Sequence, residues 1–170
     1  VGSQHRTLKA LIAKAADTQF GKNHGFTVIN GPREFRARVP VRDYEAALEY
    51  FLMIRRGVPD VCWPGKPLYL AKTSGTVSGA KYIPITKDSI KFQLLGARDA
   101  RMLCMVSSGN TSFVDGNMMF LSGSPVLEKN EWGMQVGRLS GIVNHFIPSY
   151  LKRNQVPCYE TNCIEIWEEK

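Results

Sequence analysis

The stretch that decides the fold is Leu68-Tyr69-Leu70-Ala71-Lys72-Thr73-Ser74-Gly75-Thr76-Val77-Ser78-Gly79-Ala80-Lys81-Tyr82-Ile83-Pro84-Ile85. Two short β-type runs, Leu68-Tyr69-Leu70-Ala71 and Tyr82-Ile83-Pro84-Ile85, flank a segment rich in hydroxyls and glycine that ends in a lysine. Two strands joined by that segment is the simplest layout, with Pro84 marking an edge or an irregularity because it has no N–H for a ladder. Between Thr73 and Lys81 each residue type has a task. Gly75 and Gly79 let backbone N–H groups approach an anion, Thr73, Ser74, Thr76 and Ser78 donate further hydrogen bonds, and Lys81 offers a mobile positive charge. The whole run, Val77 included, suits a polyphosphate. A solvent turn draws on the same residue types, but the ordered spacing, the terminal lysine and the flanking strands favour a ligand. A P-loop fails on spacing and context, since Gly79-Ala80-Lys81-Tyr82 runs into a strand and not a helix.

Around this segment the chain reads as one globular piece. Its 170 residues are 44% hydrophobic, 10% aromatic and 22% charged, far from a disordered composition. The formal charge is +7, but the basic residues are scattered, and the one dense stretch, from Arg33 to Arg42, is interrupted by Glu34, Val39 and Pro40. Groove binding needs clustered charge with stacking or base-reading groups, so no nucleic-acid partner is expected, while positive potential suits anionic small molecules. Cys62, Cys104, Cys158 and Cys163 show no Cys-x-x-Cys pair and no zinc-finger histidine spacing, which predicts reduced thiols and no zinc. There is neither an apolar run long enough for a membrane span nor an apolar signal core near Val1, so a soluble, cytoplasmic protein is expected. The chain opens without Met and stops in Ile166-Trp167-Glu168-Glu169-Lys170 with no terminating turn, and it reads as a piece of a longer polypeptide.

Helical spacing of Leu8, Leu11, Ile12 and Ala15 predicts a helix ending near Gly21. A second is predicted over Tyr44 to Ile54, capped by Asp43 and stopped by Gly57, with loop from Gly57 to Pro67. Asp88 or Ser89 is expected to cap a long amphipathic helix through Ile90, Leu94, Leu95, Ala97, Arg98, Met102 and Met105. Met118-Met119-Phe120-Leu121, between Gly116 and Gly123, predicts a buried strand. Loop or short strand follows over Gly133 to Gly141, then a helix around Val143 to Lys152. No repeat, linker or internal domain boundary is expected within residues 1–170.

The segment Thr73-Ser74-Gly75-Thr76-Val77-Ser78-Gly79-Ala80-Lys81 resembles the Thr-Ser-Gly-Thr-Thr-Gly-x-Pro-Lys loop of acyl-adenylate-forming enzymes, with Thr73, Ser74, Gly75, Thr76 and Lys81 in register. The second glycine comes one position late, as Gly79, and Ala80 stands where proline is usual. That variant, followed by Tyr82-Ile83-Pro84-Ile85-Thr86, is similar to the auxin-responsive acyl-acid-amido synthetase family and its bacterial relatives. Phe20-Gly21-Lys22-Asn23-His24-Gly25-Phe26, Phe35-Arg36-Ala37-Arg38-Val39-Pro40-Val41-Arg42-Asp43-Tyr44 and Cys62-Trp63-Pro64-Gly65 resemble the same family, as do Phe120-Leu121-Ser122-Gly123-Ser124-Pro125 and Gly137-Arg138-Leu139-Ser140-Gly141.

The resemblance implies an α/β fold, part of the large N-terminal domain of an adenylate-forming enzyme with layered sheets and helices. It implies ATP and Mg2+ as cofactors, a small carboxylic acid and an amine such as an amino acid as substrates, and phosphate binding by Ser74, Gly75, Thr76, Ser78 and Lys81. The adenine- and ribose-binding motifs of the family lie further along the chain, so these residues alone are expected to bind ATP weakly and to show no adenylation. Arg98, twelve residues beyond Thr86, falls roughly where plant members place an arginine for the acyl carboxylate. A solvated arginine paired with Asp99 or Asp88 is the bland alternative, and Arg101 is a second candidate. His24 and His145 have no partnered carboxylate in sequence and read as structural; Met118-Met119-Phe120 reads as core, and Arg138 is a candidate anion contact with surface salt bridging as the bland alternative. A non-catalytic anion-binding module and a thioester-forming acyl-CoA ligase relative remain the alternative functions.

Overall fold

In the computed structural model, residues 2–73, 79–112, 115–164 and 166–169 are described. They divide into two compact units, one of residues 1–67 with 132–134, the other of residues 68–131 with 135–170.

The first unit is helical: α1 (Gly2–Ala15), α2 (Gln19–Asn23), α3 (Pro32–Arg38) and α4 (Leu48–Arg55). Ile12, Ala15, Phe26 and Ile29 form its buried centre, with Leu8, Ala16, Phe20, Phe35, Val39 and Trp63 packed around them. The expected first helix is broken at Thr18. Its hydroxyl donates to Ala15 O (2.7 Å) and accepts from Gly21 N (3.0 Å), closing α1 and capping α2 together. Gly21 is required there, because a Cβ would lie 2.1 Å from Ala15 O. The start of α2 is pinned by bonds from Gln19 N to Asp60 O and from Phe20 N to Val61 O, both 2.8 Å. The second predicted helix starts late. Asp43 Oδ1 accepts the Ala46 N–H at 2.8 Å, but this holds a turn over residues 44–47 before α4 begins at Leu48.

The second unit holds β1 (Tyr69–Thr73), β2 (Lys81–Ile85), α5 (Lys87–Ser108), β3 (Met118–Met119), β4 (Glu128–Lys129), β5 (Gln135–Gly137), α6 (Leu139–Asn144), α7 (Ser149–Lys152), β6 (Gln155–Val156) and α8 (Tyr159–Cys163). Among the described residues the strands form a sheet ordered β2-β1-β5-β4 and a separate β3-β6 pair. β1 runs antiparallel to β2 and parallel to β5, so it lies inside the sheet, and its neighbours Leu70 and Ala71, on opposite faces, are each 1% exposed. Ala71, Ile85, Ile90 and Ile142 make the core, covered by Tyr69, Leu94, Leu127 and Phe146.

The long helix is capped two or three residues before the expected position, by Thr86. Thr86 accepts from Ser89 N at 3.1 Å, and the Ser89 hydroxyl accepts from Thr86 N at 2.9 Å, a reciprocal capping box. Ile90 and Leu94 pack on the core, whereas Phe92, Met102, Leu103 and Val106 are exposed. The buried strand expected over 118–121 is corrected: only Met118 and Met119 are strand, and Met119 and Leu121 are exposed. The helix expected over 143–152 is two helices, α6 and α7, interrupted at Pro148, whose ring cannot sit inside a helix. No helix among the described residues is long and apolar enough to cross a membrane.

Candidate functional site

The antiparallel register of β1 and β2 pairs Tyr69 with Ile85, Ala71 with Ile83 and, at the open end, Thr73 with Lys81. The first and last residues of the glycine-rich stretch therefore face each other across one rung. The buried Leu70 and Ala71 anchor the base, while Lys72 and Thr73 are exposed at the end of the strand. Gly79 has φ +81°, a left-handed conformation that side chains resist, and a Cβ there would meet nothing within 4 Å among the described residues. Lys81 is half-buried at the first position of β2 and engaged by neighbouring groups. Ser74, Gly75, Thr76, Val77 and Ser78 lie outside the described residues.

Arg98 is on α5 with its side chain 58% exposed, and Nε and Nη2 both donate to Asp99 Oδ1, at 2.9 and 2.7 Å. Its polar contacts among the described residues are those of a surface ion pair, an interaction that contributes at most about 1 kcal/mol. Arg101, half-buried, stands on the same helix. The hydrogen bonds of Arg98 go to Asp99 and not to Thr73 or Lys81.

The sequence reading missed a second constellation, a clasp between residues 122–125 and the β5–α6 corner. A Cβ on Gly141 would lie 2.1 Å from Ser124 O, and one on Gly123 would lie 2.6 Å from Arg138 Cδ, so glycine at both positions permits the approach. Gly123 N donates to Ser140 Oγ at 3.0 Å. Asn144, 3% exposed, donates from Nδ2 to Ser122 Oγ (2.7 Å) and accepts at Oδ1 from Gln155 (3.1 Å), tying the corner to β6. Arg138 spends its aliphatic stem covering Gly123. His145 Nε2 lies 2.7 Å from Pro125 O, which makes that nitrogen the donor. His24 is likewise held, with Nδ1 2.8 Å from Phe20 O and its ring stacked on Phe20. Pairs so distant in sequence leave no periodic signal, but the glycines at 123, 137 and 141 mark the close approaches.

Beside Asn144 a cleft of about 210 Å³ is lined by Lys152, Gln155, Pro157, Cys158, Tyr159 and Glu160. Its groups are shifted: burial, then Cys163, raises the Tyr159 phenol, and the backbone N–H of Glu160, then Cys158, holds the Glu160 carboxyl below its usual value. The four thiols are free, and burial pushes Cys62 up to about 11. Among the described residues no group of three or more His, Cys, Asp or Glu side chains is placed to hold a metal ion.

A protein-family model described as GH3 family N-terminal domain matches residues 2–164. The chain belongs to the GH3 family. Among solved structures, this GH3 chain is similar to GH3.15 acyl acid amido synthetase, with 20% identity and a TM-score of 0.70 over 91% of this chain and 27% of that one. It is also similar to AtGH3.15 acyl acid amido synthetase in complex with 2,4-DB, with 21% identity and a TM-score of 0.70 over 94% of this chain and 28% of that one. At these identities the likeness shows the fold: the mixed α/β architecture of a GH3 N-terminal domain, as the sequence led us to expect. The GH3 chain spans about a quarter of the length of these solved relatives. No curated protein matches it.

Proposed function

We propose that this GH3 chain is the phosphate-gripping part of an acyl-acid-amido synthetase, an enzyme that joins a small carboxylic acid to an amine at the expense of ATP. The observation that carries the reading is the Thr73–Lys81 rung. It returns the lysine to the place where the hydroxyl- and glycine-rich segment begins, two residues after Gly79, whose left-handed backbone suits glycine. One of the solved relatives, an acyl acid amido synthetase, is held with 2,4-DB, which supports a small acid as substrate.

The chemistry follows from charge. An oxygen of the acid attacks the α-phosphorus of ATP, the bond to the β-phosphate oxygen breaks, and pyrophosphate leaves with that electron pair. The amine nitrogen then attacks the acyl carbon, AMP departs, and the nitrogen gives up a proton. Both first-step partners are anions, so positioning and screening supply most of the rate. Lys81 offsets phosphate charge, the backbone around Gly79 donates N–H groups, and Ser74, Gly75, Thr76 and Ser78 complete the cradle. Mg2+ bound with the nucleotide adds further screening of the phosphates. Arg98 takes the acid's carboxylate in this scheme after exchanging its Asp99 partner.

Two measurements test the proposal. In the chain itself, Lys81→Ala should weaken ATP binding about tenfold, the loss of one charge-assisted hydrogen bond of about 1.4 kcal/mol. Unchanged affinity would remove the lysine from the site. In a polypeptide of the relatives' length, pyrophosphate release should require a carboxylic acid and rise with amino acids. Release that needs a thiol instead would make it a thioester-forming enzyme, and no release at all would leave an anion-binding module.

A further inference from the structure

In the first unit, His24 does more than fill space. It is 7% exposed, stacked on Phe20 with ring centroids 4.1 Å apart, and its two nitrogens face partners of opposite demand. Nδ1 lies 2.8 Å from the carbonyl oxygen of Phe20, which can only accept, so Nδ1 carries the hydrogen. Nε2 lies 3.2 Å from Nη2 of Arg42, which can only donate, so Nε2 must be bare. The pair of contacts is satisfied by one species alone, the neutral imidazole with its hydrogen on Nδ1.

Arg42 belongs to an extended segment with few other ties. Val39 N still closes α3 on Phe35 O, and Asp43 O and Oδ1 take the N–H groups of Ala47 and Ala46. Between them, the Arg42–His24 bond is the one hydrogen bond that residues 40–42 make among the described residues. Val41 is fully exposed and Pro40 has no N–H. The charged neighbours of His24 are basic. Arg42 touches it, the Arg38 guanidinium from α3 lies over Gly25, with Nη1 3.2 Å from where a Cβ there would stand, and Lys22 is on α2. From α4 comes Tyr50, whose ring packs on Phe20 and whose hydroxyl is taken by Asn23, and the turn at Phe26–Val28 brings no ionisable group.

We propose that the His24–Arg42 pair is a pH-operated latch on residues 40–42. When His24 Nε2 takes a proton from solvent, an N–H points at a guanidinium, the Arg42 bond breaks, and the segment loses its tie to α2. The Nδ1 contact to Phe20 survives, so the helix stays while the segment is let go.

Backbone relaxation of the 15N-labelled 170-residue chain tests this on the Val41 and Arg42 amides, at about pH 8 and about pH 5, on either side of the histidine range. Their order parameters should fall from about 0.85 to below about 0.6 on acidification. His24→Gln, whose Oε1 accepts from Arg42 but does not titrate, should keep them high at both values. Arg42→Ala, a change at an exposed residue that leaves the buried packing in place, should make them low at both. Order that is the same at both pH values in the parent chain, or a fall that persists in His24→Gln, overturns the proposal.

Discussion

Gly141→Ala adds one methyl group at the corner between β5 and α6. Its Cβ would lie 2.1 Å from Ser124 O, 2.8 Å from Ser124 C and 3.1 Å from Pro125 Cα. All three are backbone atoms, so no side chain can swing aside, and ordinary carbon contacts begin near 3.5 Å. Overpacking of this kind destabilises by about 1–3 kcal/mol, and the rigid neighbours place it at the upper end. Alanine's better helix propensity returns about 1 kcal/mol, leaving a net loss of about 2 kcal/mol. For a chain of this size that lowers Tm by about 4–8 °C. Gly96→Ala is the control. It makes the same change inside α5 where a Cβ meets nothing within 4 Å, and it should raise stability by about 0.5–1 kcal/mol. Thermal unfolding followed by circular dichroism reads both. A Gly141→Ala protein as stable as the parent would refute the close approach of residues 122–125 to α6.

Asn144→Ala removes the buried amide that holds Ser122 and Gln155 and should lower stability by about 2 kcal/mol, read from the urea midpoint. A loss under about 0.5 kcal/mol would show that the clasp does not depend on it. Cys62, pushed up by burial from 9.0 to about 11, should resist a thiol reagent at about pH 8 while the exposed Cys104 and Cys158 react, as mass spectrometry would show. Between those two values the folded thiol keeps a proton that the unfolded chain has released, so Cys62 stabilises the fold below pH 9.0 and that contribution is lost as pH rises towards 11. Labelling of Cys62 as fast as Cys158 would contradict its burial.

Local signals carried the hairpin and the start of the long helix. Strand-forming residues on both sides of a glycine-rich stretch dictate an antiparallel pair, and Thr86 with Ser89 forms the capping box two or three residues earlier than Asp88 or Ser89 alone suggested. What failed were judgements that depend on distant partners. Thr18 ends one helix and begins another because Gly21 lets α1 and α2 meet, which no apolar period announces. The run 118–121 is apolar, yet Met119 and Leu121 are exposed and Met118 and Phe120 only half-buried, since burial depends on what lies opposite and not on composition. Asn144 looked like any polar residue of a helix; its role comes from Ser122 and Gln155, which only the folded chain brings to it.

The Thr73–Lys81 rung also governs how this region can vary. Side chains alternate across a strand, so a one-residue slip of β2 against β1 would turn Lys81 to the opposite face of the sheet. The identity of the residues between the two paired positions is under no such parity rule. A glycine can migrate by one place, as Gly79 has relative to the pattern this stretch resembles, and proline can give way to Ala80, while Thr73 and Lys81 keep their rung.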